Sequence, residues 1–139
     1  MFLFATFYSS WNGYNDELVW GAAWLYKATG DEAYLNKAKQ YYQDFNLGYQ
    51  TGVFSWDDKI VGIHVLMAEL TGEATYKNPL ESFCDYAVNG QTRSPQGMLF
   101  YYQWGSLRYA SNAALICLKV SNDLISGELL FRNITNQIL

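Results

Sequence analysis

Ala28-Thr-Gly-Asp-Glu-Ala-Tyr34 returns 42 residues on as Leu70-Thr-Gly-Glu-Ala-Thr-Tyr76, and each copy lies between two segments of helical periodicity. Before the first copy, Leu18, Val19, Ala22, Leu25 and Tyr26 recur at three- and four-residue steps, the mark of one buried helix face. After it, Tyr34, Leu35, Ala38, Tyr41, Tyr42 and Phe45 form a second stripe, while Lys37, Lys39 and Gln40 face water. Thr29-Gly30 stops one helix, because glycine accepts the left-handed cap that other residues resist. Asp31 then caps the next by accepting a bond from a first-turn N–H. The repeated unit is therefore an αα-hairpin. Such units cannot bury their faces alone and must stack, so the fold class is all-α.

Working outward, Asn15 or Asp16 caps the first helix, and Asp16 and Glu17 sit where a helix N-terminus favours negative charge. Asp57 or Asp58 caps a third helix with Ile60, Ile63, Val65, Leu66, Ala68 and Leu70 inside, and Thr71-Gly72 ends it. A fourth is expected to begin near Asn78, since Pro79 is tolerated in a first turn, and to end at Asn89 with Gly90 as cap. Residues 91–102 form a loop with the turn signal Ser94-Pro-Gln-Gly97. A fifth helix follows Trp104 to about Val120, and a sixth spans Gly127 to Ile138. The Thr-Gly connections are short and alike. The others (8–15, 46–58, 91–105) are long, aromatic and acidic. One end of the array is thus a scaffold and the other a binding surface.

At 139 residues the chain is a single domain or part of one. Nine basic against thirteen acidic residues, net −4, exclude the basic footprint that nucleic acid requires. No apolar run approaches the ~18 residues of a membrane span, and Met1 to Phe7 lacks the basic start and length of a signal peptide. Twelve Tyr and five Trp suit helix packing or flat stacking surfaces. Trp20 and Trp24 fall within the packing pattern, whereas Trp11 and Trp104 stand at loop ends outside the apolar stripes and are read as functional. Cys84 and Cys117, the two cysteines, lie in apolar helical patterns and are read as buried free thiols, with a single disulfide left open; their spacing is not that of metal ligands. His64, the one histidine, is read as a packing or surface residue rather than a catalyst, Asp58 as an N-cap and Lys59 as a solvated charge. Asn133-Ile-Thr135 is a glycosylation sequon inside an expected helix.

Four strings occur in order: Tyr8-x-x-Trp11; Asp16-Glu-Leu-Val-Trp-Gly-Ala-Ala-Trp-Leu-Tyr-Lys-Ala-Thr-Gly-Asp31; Phe54-Ser-Trp-Asp-Asp-Lys59; and Trp104-Gly-Ser-Leu-Arg-Tyr-Ala-Ser-Asn-Ala-Ala114. Together they closely resemble glycoside hydrolase family 9, the endo-β-1,4-glucanases, over about residues 7–138. The resemblance implies a partial (α/α)6 barrel of helical hairpins with an open cleft at one end. It implies inverting hydrolysis of cellulose or related β-glucans, with a carboxylate base and a carboxylic acid ~6.5–9.5 Å apart. The family's base lies in an upstream Asp-Ala-Gly-Asp motif and its acid is a downstream Glu. Neither is present, so residues 1–139 read as a middle segment of the catalytic domain, incomplete at both ends and without a catalytic residue of its own. The remaining barrel segments are then its partners. Secretion is inferred from the substrate class alone.

Carried over position by position, Tyr8 and Trp11 match cleft aromatics, Trp104 a sugar-stacking platform, and Arg108 an arginine that reaches sugar hydroxyls with its five donors. A further family tryptophan falls near Gly52 here, so that contact is missing. Some members hold a structural calcium whose ligands match Asn12 and Gly13 (through carbonyls), Asp16, Glu17 and Asp57, an oxygen set of the kind calcium takes. An inactive helical-repeat module that binds glycans or proteins is the competing reading. A toroid with other sugar chemistry is a third, opposed by the 104–114 string. Half a toroid exposes apolar helix faces, so the isolated chain is expected to be poorly soluble or loosely folded and to hydrolyse nothing.

Overall fold

The computed structural model describes residues 10, 11, 13–50 and 52–124. Tyr8, Asn12, the expected sixth helix and the Asn133 sequon lie outside the described residues. Five helices follow one another: α1 (Asn15–Thr29), α2 (Glu32–Asp44), α3 (Ile60–Thr71), α4 (Ala74–Asn89) and α5 (Ser106–Lys119). A 3-10 turn (Leu47–Tyr49) follows α2, and a π turn (Val120–Leu124) follows α5. Among the described residues the one β feature is an isolated antiparallel bridge between Arg93 and Leu99. It flanks the expected turn, in which Gly97 N–H bonds the Ser94 carbonyl at 2.9 Å and Gly97 takes φ +90°.

The two Thr-Gly turns end α1 and α3 as expected. Gly30 and Gly72 are left-handed caps with φ 71° and 70°. Helices α1–α2 and α3–α4 pack as hairpins, and α1, α3 and α5 touch in series. Their polarity follows from two sets of bonds. Asp16 at the start of α1 accepts from Lys59 N–H at the start of α3 (2.7 Å). At the far ends, Glu69 of α3 pairs with Lys27 of α1 (3.2 Å) and Lys119 of α5 (2.7 Å). Three parallel helices therefore stand side by side, with α2 and α4 returning the chain. The middle one is the most covered: Ile60 through His64 and Leu66 through Ala68 are all buried. The flanking helices keep large apolar residues open, Leu107 at 64% and Leu115 at 59% among them. Gly62 gives α3 its close contact with the preceding loop, since a Cβ there would meet the Phe54 ring at 2.5 Å.

Three local expectations change. Neither Asn15 nor Asp16 caps α1, whose N-cap is Tyr14 with no side-chain bond; the Asp16 carboxylate caps α3 across the helix pair instead. Of the two candidates for α3, Asp58 serves, its Oδ1 accepting from Ile60 N–H at 3.0 Å, while Asp57 does not. Helix α4 begins at Ala74 rather than near Asn78, carrying Pro79 beyond its first turn. Tyr76 and Leu80, 3% and 0% exposed, bury against the core and hold those turns helical despite the proline. The cysteines also differ from the free thiols expected. Cys84 of α4 and Cys117 of α5 are disulfide-bonded, with Cα atoms 5.4 Å apart, well inside bonding range. Closing a loop with a sequence separation of 33 residues contributes about 3–4 kcal/mol in the chain-entropy account.

Candidate functional site

The starts of α1, α3 and α5 gather at the end opposite the Thr-Gly turns, together with the loops that precede them. Trp11 and Trp104 both lie there with their rings open, 80% and 83% exposed. An indole that contributes so little to the core is available to stack. Trp11 is anchored through its backbone, whose N–H approaches Asp57 Oδ2 at 3.4 Å. Ser10 Oγ donates to the Gly13 carbonyl, and Gly13 takes φ +80°, which turns the chain into α1.

The 52–58 loop is held from inside and from behind. Ser55 Oγ accepts from Asp57 N–H (3.3 Å) and Asp58 N–H (3.2 Å), and Ser55 N–H bonds the Asp58 carbonyl at 2.9 Å. Lys59, expected to be a solvated charge, folds back onto the Ser55 and Trp56 carbonyls. From α5, Asn112 Nδ2 donates to the Phe54 carbonyl at 2.6 Å. Asn112 and Ser55 lie within the strings that mark the site, but their roles span the fold and local spacing does not reveal them.

Gly105, at φ +69°, precedes α5, and Arg108 lies in the first turn. Its guanidinium packs over the Tyr109 ring at 4.5 Å and donates to the Tyr109 hydroxyl at 2.7 Å. Tyr102 meets Tyr109 edge-on at 5.0 Å. Tyr109, which the sequence reading passed over, is thus the residue that holds Arg108. Its adjacency to Arg108 was the available signal.

Burial and the neighbouring Asp16 carboxylate push the Glu17 carboxyl up to about 7. Glu17 Oε2 and Asp57 Oδ1 are buried with no hydrogen-bond partner. These acidic oxygens are of the kind calcium takes, so the donor set fits that ion. The acids are nonetheless not a closed cage. Among the described residues no three His, Cys, Asp or Glu side chains form a metal-binding group: Asp16 is turned to Lys59 N–H and Asp57 to Trp11. The full expected set also needs the Gly13 carbonyl and Asn12, the latter outside the described residues.

The family model for glycosyl hydrolase family 9 matches residues 4–138. The chain belongs to that family. It is 42% identical to endoglucanase B of Cellulomonas fimi over 85% of its own length and 12% of that protein's. It is 40% identical to endoglucanase A of Bacillus pumilus over 88% and 20% respectively. Among solved structures, the endoglucanase of the termite Nasutitermes takasagoensis superposes with TM-score 0.88 at 41% identity, covering 96% of this chain and 30% of that one. Endoglucanase CelQ of Clostridium thermocellum, complexed with cellotriose, gives 0.84 at 34% identity, covering 95% and 24%. The family member described here thus spans a fifth or less of these two curated relatives, and its helical hairpins are part of an (α/α)6 barrel.

Proposed function

We propose that this chain is the middle segment of a catalytic domain that hydrolyses internal β-1,4-glucosidic bonds in cellulose or related β-glucans with inversion. The acid and base come from the same domain outside these residues. One observation carries the reading: an open indole at Trp104, just before α5, and the Tyr109-held guanidinium of Arg108, in its first turn, flank the same helix start. A sugar ring offers its C–H face to an indole and its hydroxyls to a guanidinium. Trp11 adds a second open indole at the same end of the array, and the neighbour complexed with cellotriose supports the substrate class. Secretion is part of the proposal, supported by the disulfide, since such bonds persist in oxidising compartments.

The test is made in the complete domain. Trp104→Ala removes an aromatic face worth ~1.5–3 kcal/mol of burial, so kcat/KM on a soluble cellulose derivative falls about ten- to a hundredfold. The 139-residue chain alone releases no reducing ends. Hydrolysis by that chain, lost in Asp16→Asn or Asp57→Asn, would make those residues catalytic and overturn the assignment. A complete protein that binds cello-oligosaccharides without cleaving them would favour the binding-module reading.

Calcium belongs to the same proposal. Asp16, Glu17, Asp57, Asn12 and the Gly13 carbonyl would hold it, and it would neutralise the orphaned carboxylates and tie the first loop to the 52–58 loop. Its role is structural. Calcium at a hundred times its Kd stabilises by about 2.7 kcal/mol, read as a rise in Tm that chelation reverses and Asp57→Asn abolishes. Equal Tm with calcium and with chelator would sink the site.

A further inference from the structure

The 91–105 connection is tied down in its first half and not in its second. Arg93 donates to the Val88 carbonyl near the end of α4 and to the Gly97 carbonyl, each at 2.9 Å. It also pairs across the short bridge with Leu99, which is buried, and Phe100 N–H bonds the Thr92 carbonyl at 2.8 Å. From Tyr101 to Trp104, among the described residues, no backbone hydrogen bond ties the chain back to that half. Tyr102 instead meets Tyr109 of α5. The place of the open Trp104 indole is therefore set by the place of α5. That helix has a thin apolar hold of its own. The residues it buries are Ala110, Ala113, Ile116 and Cys117, whereas α3 buries Ile60, Val61, Ile63, Leu66 and Met67 among others. Alanine offers one methyl where those residues offer branched or long chains, so less apolar area leaves water. Its polar ties to other elements include the Asn112 bond to the Phe54 carbonyl and the Lys119 pair with Glu69.

The Cys84–Cys117 bond supplies what those side chains do not. It closes a covalent ring, with a sequence separation of 33, and Tyr102, Trp104, Arg108 and Tyr109 all lie between its two cysteines. Both cysteines are 0% exposed. A thiolate has no access to the sulfurs of the folded chain, so the bond is a fixed clamp rather than a switch. We propose that this disulfide is a positioning element for the substrate surface. By fixing α5 on α4 it presents Trp104 and Arg108 already in place, and a glucan chain does not have to order them on binding. The inference rests on the reading of Trp104 and Arg108 as sugar contacts.

The complete domain is compared with two double variants, Cys84→Ala/Cys117→Ala and Cys84→Val/Cys117→Ala, the second refilling part of the sulfur volume. Hydrogen exchange read by mass spectrometry tests the clamp without any turnover. Amides of residues 101–112 should exchange about tenfold faster or more in both variants while those of α3 keep parent rates, the sign of local rather than global opening. On a soluble cellulose derivative KM should rise about three- to tenfold, the cost of ordering a side chain or two on binding. The value of kcat should stay within about twofold, because only uniform binding is lost. Faster exchange in α3 as well, or failure of both variants to fold, would make the bond a global staple and overturn the proposal. So would parent exchange rates in 101–112, which would mean that the rest of the domain holds α5 unaided, an unchanged KM, or a loss confined to kcat. A parent domain that cleaves no glucan is a separate failure: it refutes the sugar reading on which the proposal rests, whatever the exchange rates.

Discussion

At Thr29-Gly30-Asp31 and at Thr71-Gly72-Glu73 the chain turns with the same bonds. Each threonine Oγ1 reaches back to a carbonyl four residues earlier, Leu25 or Met67, at 2.7 Å, and accepts from the N–H two residues on at 3.2 Å. Each glycine sits left-handed with open space where a Cβ would go. At the opposite end no two connections are alike. One is anchored by Trp11 on Asp57, one by the Ser55 network and Asn112, and one by a short bridge and the contacts of Tyr109 with Tyr102 and Arg108. Repetition marks the end that only has to reverse the chain. Individuality marks the end where aromatic side chains stay exposed and two buried carboxylate oxygens, Glu17 Oε2 and Asp57 Oδ1, lack a partner, an arrangement that costs stability and that the proposed function assigns to ligands.

Variants in each end test that contrast. The largest effect belongs to the irregular end: Asp16→Ala leaves the half-buried Lys59 N–H without its partner and should lower unfolding free energy by about 1–3 kcal/mol in denaturant titrations. Asp31→Ala, which removes an exposed cap bonded to Ala33 N–H at 2.9 Å, should cost less, about 0.5–1 kcal/mol; the reverse order would break the contrast. Next come Gly30→Ala and Gly72→Ala. Both force a Cβ into left-handed backbone, ~1–2 kcal/mol each, and the two losses should agree within a few tenths, because nothing but φ differs from an ordinary position. Unequal losses would mean that the turns are alike in bonds but not in load. The smallest effect lies at Glu69. Burial pushes this carboxyl up, but the hydrogen bonds from Lys119 and Lys27 bring it below its ordinary value. A carboxylate held down in the folded state contributes above its unfolded pKa and loses that contribution as pH falls through the lower, folded one. Glu69→Gln should therefore cost ~0–1 kcal/mol at neutral pH, with the difference from the parent vanishing in strong acid. A cost that persists there would show that packing, not charge, is lost.

The same contrast governs what the sequence made legible. The hairpins and left-handed caps were readable because a Thr-Gly step and a helical stripe are local facts. Trp11 and Trp104 were readable because they break the stripes. The Asp16 bond to Lys59, the Cys84–Cys117 bond and the Asn112 bond to Phe54 were not, since each depends on which helices become neighbours. Helix α4 extends ahead of Pro79 for the same reason: contacts of Tyr76 with Tyr42, 4.8 Å between rings, outweigh a local rule. The 104–114 string located Arg108, but only tertiary structure reveals that Tyr109 holds it in place.

Lys27 and Glu69 are separated by 42 residues, the same interval as the two Thr-Gly turns. Position for position, the second hairpin therefore presents a negative charge where the first presents a positive one. A hairpin stacked on a second copy of itself would set lysine against lysine or glutamate against glutamate, and would be penalised. Charge at this single repeated position therefore favours the pairing of unlike hairpins over like ones, by the ~0–1 kcal/mol that a partly exposed ion pair contributes.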